Sequence, residues 1–213
     1  MIGLRRGSPS PSPAPRESAL SSAVLGSASD CRKVVLHVGC GPADPDKVHK
    51  QFRGPDWREV RLDIDRGVAP DILGSIVSMP DVPADAVDAV WSSHNLEHVY
   101  AHEVPKALRE FFRVLRPAGV VLITVPDLQH VARSIAKGQL EETLYVSPAG
   151  PIAPLDMVYG HRPSIEQGNK FMAHHTGFTA RTLAHKLEQA GFVAVFVKAP
   201  GDRALWASAR KPS

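Results

Sequence analysis

The segment "KVVLHVGCG", residues 33 to 41, constrains the fold more than any other. An apolar run of strand length that ends in glycine reads as a strand buried on both faces. Strands of that kind belong to parallel sheets, and each parallel neighbour requires a crossover connection. The chain that follows supplies alternating strand and helix patterns to match.

"EVRLDI" (59–64) alternates as a strand, "DILGS" (71–75) is a short weak one and "AVDAVWSS" (86–93) a better one. "VVLITVP" (120–126) is the most apolar strand of the chain. Between them, "DPDKVHKQF" (44–52) predicts a short helix, with Asp44 as N-cap and Pro45 at the first helical position. "PKALREFFRVL" (105–115) puts Leu108, Phe111, Phe112 and Leu115 on one helical face, with Pro117 and Gly119 as the stop. Two further helical patches are expected over "LQHVARSIAKG" and "LEETLYV". "TARTLAHKLEQAGF" (179–192) is amphipathic and stops at Gly191. "FVAVFVKA" and "ALWASARK" close the chain as an antiparallel strand pair. The count predicts an α/β fold: a Rossmann-like, mostly parallel sheet of seven strands with one antiparallel strand and helices on both faces.

Residues 1 to 30 are rich in Ser, Pro and Ala and read as a disordered or loosely packed tail, with a short helix possible over "ESALSSAVL". Residues 31 to 213 then form a single domain. The net charge of +3 is scattered rather than gathered into a stripe, which argues against nucleic acid as a partner. No apolar run approaches the ~20 residues of a membrane span. Two cysteines, Cys31 and Cys40, cannot build a disulfide framework, which points to the cytoplasm. A homo-oligomer is compatible with the sequence.

A glycine loop between a buried strand and a helix stands at the carboxyl edge of the sheet, where open α/β sheets bind ligands. The dinucleotide fingerprint needs a third glycine, and Asp44 stands there instead. Pro42 and Asp44 would repel a pyrophosphate from the helix amides, which counts against a nicotinamide enzyme. The loop suits an adenosine ligand without phosphates. Asp63 follows about 20 residues later, where a carboxylate can accept from both hydroxyls of a ribose.

"VVLHVGCGP", "RLDID", "SIVSMP", "VDAVWSSHNLEHV" and "ALREFFRVLRPAGVVLITVPD" occur in this order, and "HTGFTARTLAHKLEQAGF" follows. Together they resemble the class I S-adenosylmethionine-dependent methyltransferases of the small-molecule type. The resemblance implies a strand order of 3-2-1-4-5-7-6 with strand 7 antiparallel. It implies S-adenosyl-L-methionine as cofactor and transfer of its methyl group to a small-molecule acceptor. Gly39, Cys40 and Gly41 would line the methionine portion, Asp63 would hold the ribose and Ile64 would pack on the adenine. Ser75 and Ile76 would meet the adenine edge, and Ser92, Ser93 and His94 would lie near the sulfonium. Two positions depart from the family pattern: His37 stands where a carboxylate usually helps organise the loop, and Ser75 where an aspartate usually accepts from the adenine. Both changes predict weaker cofactor binding and support an alternative, a catalytically weak methyltransferase-like binding or scaffold protein.

The sulfonium is already activated, so the protein must mainly position the acceptor, exclude water and take up a proton. His94 is the first candidate base because it follows the fourth strand; His175, in the loop "YGHRPSIEQGNKFMAHHTGF" (159–178), is the second. Residues 127 to 178 are expected to cover the substrate, since long loops over the carboxyl edge carry specificity. His94, His98 and His102 are spaced by four, but Pro105 breaks any continuous helix through them, and no metal site is expected.

Overall fold

The computed structural model describes Gly26, residues 30–201 and residues 204–213. The expectations of a loose tail over residues 1 to 30 and a helix within it fall almost wholly outside the described residues.

Seven strands build the main sheet: β1 (Lys33–Val38), β2 (Trp57–Asp63), β3 (Ile72–Leu73), β4 (Val87–Ser93), β5 (Leu115–Pro126), β8 (Val193–Lys198) and β9 (Ala204–Arg210). Their order is β3-β2-β1-β4-β5-β9-β8. The first five are mutually parallel, and β9 runs antiparallel to both of its neighbours. This is the expected Rossmann-like class. The numbering of the last pair shifts because a two-stranded hairpin, β6 (Tyr145–Ser147) and β7 (Gly150–Ile152), intervenes.

Side chains alternate across a strand, and the two faces of β1 show what each buries. Val34, Leu36 and Val38 join the larger core, packed with Leu108 and Phe111 of α1 (Val104–Val114) and Leu183 and Leu187 of α5 (Ala180–Gln189). Val35 faces the other way, onto Val48, Phe52, Ala89 and Trp91. Helix α5 begins as expected: Thr179 caps it through Thr182, and Gly191 follows its end at φ 98°.

Three local expectations are corrected. Residues 44 to 52 form two 3-10 turns, Pro45–Lys47 and Lys50–Phe52, rather than one helix. Asp44 does cap the first, but Val48 is extended and His49 caps a new turn through the Gln51 amide. The Trp91 indole also donates to the Lys47 carbonyl at 2.9 Å, which pins the break to the sheet. Helix α1 ends at Val114, before Pro117, because Leu115 pairs with Val87 and already belongs to β5. "LEETLYV" is not helical: Leu144 and Tyr145 pair back onto Ile152 in the hairpin.

Between β5 and α5 lie α2 (Leu128–Ala136), the hairpin, α3 (Pro154–Tyr159) and α4 (Arg162–Glu166). Buried Asp156 holds this region together. It accepts from the Ala153 amide at 2.9 Å and from the Arg162 guanidinium at 2.7 Å. Asp127 caps α2 through the Gln129 amide, and the Leu128 amide donates to the Phe178 carbonyl, so the whole insertion starts and ends at the carboxyl edge of β5.

Candidate active site

The carboxyl ends of β1, β2 and β4 open onto a cavity of about 270 Å³. Gly39, Gly41, Asp63, Ile64, Ser75 and Ile76 line one side of it, and His94, Asn95, His98 and His175 also face it. Gly39 and Gly41 both take φ 61°, which favours glycine. A Cβ on Gly39 would stand 2.4 Å from the Asn95 side chain. Asp63 braces this loop from β2: Oδ2 accepts from the Gly41 amide at 2.8 Å and Oδ1 from the Asp65 amide at 2.9 Å. Each oxygen retains a lone pair for a ligand. Arg61 donates to the carbonyls of Gly41 and Val68 and ties the loop to the turn after β2.

Strand alternation turns His37 to the other face of the sheet. It is buried, with Nδ1 2.7 Å from Glu59 Oε1, and it lines a neighbouring groove of about 690 Å³ with Cys40 and Ser93. Burial pushes the Cys40 thiol up to about 11. The Ser93 hydroxyl lies 3.1 Å from that of Thr124. Ser92 is buried in β4, 0% exposed, and lines none of the three concavities that His94 lines. The two-residue period of the strand that buries Ser92 sends Ser93 outward.

His94 is at the junction of three concavities. It lines the cavity beside Asp63, the groove beside His37 and a third groove of about 740 Å³ formed with Tyr145, Ser147 and Trp206. Its backbone is left-handed, φ 48°, a conformation uncommon for a residue with a side chain and found preferentially at functional sites. Its ring Nδ1 lies 3.3 Å from Glu97 Oε1. Desolvation opposes the charged imidazole, but the Glu97 carboxylate outweighs it and holds His94 above the ordinary histidine value.

Glu97 sits in the 3-10 turn Leu96–His98 and is 1% exposed. Burial alone would raise its pKa; His94 foremost, then His98 and His174, reverse this and keep it below the ordinary value. His174 is held below its ordinary value, chiefly by burial. Glu97, His98 and His174 each offer a ligand atom within 4.8 Å of the other two. His175 points elsewhere and stacks on Tyr100, ring centroids 4.3 Å apart. His102 stacks on the same ring, 5.8 Å away, and α1 begins only at Val104, so no helix runs through His94, His98 and His102.

Residues 36–123 match the family model of a methyltransferase domain. Segment 36–123 thus has the pattern of a methyltransferase domain. The chain is similar to a malonyl-[acyl-carrier protein] O-methyltransferase of Yersinia pestis, with 33% identity over 51% of this chain and 39% of that protein. The chain thus spans well under half the length of that curated relative. Among solved structures, it is similar to an S-adenosylmethionine-dependent methyltransferase of Aquifex aeolicus, with a TM-score of 0.55, 16% identity, and coverage of 88% of this chain and 85% of that one. One from Archaeoglobus fulgidus gives a TM-score of 0.55 and 15% identity over 84% and 86%. At such identities the likeness concerns the fold. No helix among the described residues is long and apolar enough to cross a membrane.

Several residues of the candidate site escaped the sequence reading. Asn95 follows His94 directly and was within reach of the same motif, yet its amide, which packs on Gly39, carries no sequence signature of its own. Glu59 is an ordinary strand residue until the β1–β2 register sets it beside His37. Glu97 stands beside the His94, His98 and His102 spacing in the sequence, but its burial is not legible there.

Proposed function

We propose that the chain binds S-adenosyl-L-methionine and transfers its methyl group to an oxygen or nitrogen of a small-molecule acceptor. The observation that carries this reading is Asp63. Its carboxylate ends β2, braces the Gly41 amide and faces the cavity beside Ile64 and Ile76. In this reading the ribose hydroxyls donate to Asp63 and the adenine lies between Ile64 and Ile76 with Ser75 at its edge. The methionine portion runs along Gly39, Cys40 and Gly41 toward the groove of His37 and Ser93. Bound there, the cofactor supplies an electrophilic methyl carbon.

The chain's own groups then orient the acceptor and receive its proton. His94 is proposed for this role because the cavity and both grooves meet at its ring. His175 is proposed as a second group facing the acceptor. Residues 127 to 178 are proposed to cover the substrate, a reading supported by Tyr145 and Ser147 in the groove that reaches His94. The cytoplasm is the proposed compartment.

The alternative of a catalytically weak binding protein rests on His37. Glu59, 2.7 Å from its ring, supplies a carboxylate against the loop from the adjacent strand and favours the active reading. The test is release of S-adenosylhomocysteine over a panel of hydroxyl, carboxyl and amine acceptors. The proposal expects turnover with at least one acceptor and a large loss of it in His94→Ala. Cofactor binding without turnover across the panel would favour the binding-protein reading.

A further inference from the structure

Outside the glycine loop, the described residues hold a buried carboxylate that the proposed methyl transfer does not use. Glu97 is 1% exposed, and neither of its oxygens has a hydrogen-bond partner. Its ion-pair contact is with the half-exposed His94, whose Nδ1 lies 3.3 Å from Oε1. A buried anion without hydrogen bonds is costly, and buried charges are normally paired or bound to metal.

The two imidazoles beside it are set as metal ligands usually are. His98 Nδ1 lies 3.0 Å from the Ala173 carbonyl, and His174 Nδ1 lies 2.9 Å from the Met157 carbonyl. A carbonyl can only accept, so each Nδ1 carries the proton and each Nε2 keeps its lone pair. A backbone carbonyl on the far nitrogen is the common way to fix a ligating histidine. The rings meet edge to face, centroids 4.9 Å apart. The supports are stiff: the Glu97 carbonyl accepts from the His175 and Thr176 amides, and the His174 amide donates to the Tyr159 carbonyl.

We propose that Glu97, His98 and His174 bind a divalent first-row transition ion, with zinc as the representative. Two imidazole nitrogens and one carboxylate oxygen are a donor set that such ions take, leaving a position open. Ligand atoms within 4.8 Å of one another need only close by about 1.5 Å to reach the spacing of a tetrahedral zinc site. The ion would neutralise Glu97 and fasten the 173–176 segment to the turn after β4. His98 also lines the cavity beside Asp63.

The test uses untagged full-length protein, stripped with a chelator and titrated with zinc by calorimetry. Cobalt(II) is titrated in parallel and followed by its visible ligand-field absorption. The proposal expects saturable binding of one zinc per chain, a rise in Tm and a tetrahedral cobalt spectrum. Glu97→Gln and His174→Ala should each weaken zinc at least about ten-fold. His185→Ala, on α5, should bind like the unmodified chain. If Glu97→Gln fails to fold, His98→Ala takes its place in the same measurement. No zinc binding at millimolar ion, or equal binding in all variants, overturns the proposal. Both readouts are made without S-adenosylmethionine, so their outcome is separable from that of the methyl-transfer reading.

Discussion

Asp63 holds two backbone amides, which gives it a structural role beside the ribose contact proposed for it. Sequence spacing alone assigns it a binding role and leaves the fold independent of it. The structure makes it part of the loop's scaffold as well. Asp63→Ala should therefore cost about 1–3 kcal/mol of stability, read from chemical denaturation, in addition to any loss of ligand affinity. Gly39 is under tighter control. Its left-handed φ and the 2.4 Å approach of Asn95 to a Cβ leave no room for alanine. Gly39→Ala should lose about 1–3 kcal/mol and displace Asn95 from the cavity wall, visible in amide chemical shifts. Cys40 should resist alkylation at neutral pH, since its thiol is pushed up to about 11. Mass mapping after iodoacetamide should show its rate rising only as pH approaches that value. A raised thiol pKa also means that its contribution to stability is present below the unfolded value and fades as pH rises through the folded one.

At the scale of elements, the insertion after β5 depends on few groups. Asp156 caps α3 from within and pairs with Arg162 at the start of α4. Burial raises its pKa, but the Arg162 guanidinium and the Ala153 amide outweigh that and keep it below the ordinary carboxylate value. Its stabilisation is thus present above pH ~3.8, the ordinary aspartate value, and is lost as pH falls through the lower folded value. Asp156→Ala should destabilise the chain by about 1–3 kcal/mol and raise hydrogen exchange in 150–166 first. These elements were the least legible from sequence. "LEETLYV" has the residue types of a helix, and only the return of Ile152 makes it a hairpin edge. Residues 44 to 52 carry a sound helix start at Asp44–Pro45, but the Trp91 bond to Lys47 favours a broken turn. The sheet, by contrast, was legible because its central strands are continuous apolar runs, and that pattern does not depend on distant contacts.

At the scale of the molecule, two concerns meet at one edge of the sheet. The glycine loop, Asp63 and Ile64 come from β1 and β2, and their spacing in sequence makes them readable in advance. His98 and His174 come from segments far apart in the chain, joined by the insertion, so no local pattern announces their proximity. His94 stands between the two groups, and His94→Ala should lower kcat at least about 100-fold while leaving cofactor affinity within a few-fold. The ratio of kcat to binding loss distinguishes an acceptor-facing group from a cofactor-holding one.

The central claim is that the cavity beside Asp63 receives an adenosine cofactor. Isothermal titration of the full chain with S-adenosylmethionine and S-adenosylhomocysteine tests it most directly, run beside Asp63→Ala at a temperature where that variant remains folded. The account predicts saturable one-to-one binding of both ligands, weakened at least ten-fold, or about 1.4 kcal/mol, in the folded variant. Absence of binding at millimolar ligand, or equal affinity in Asp63→Ala, would contradict it.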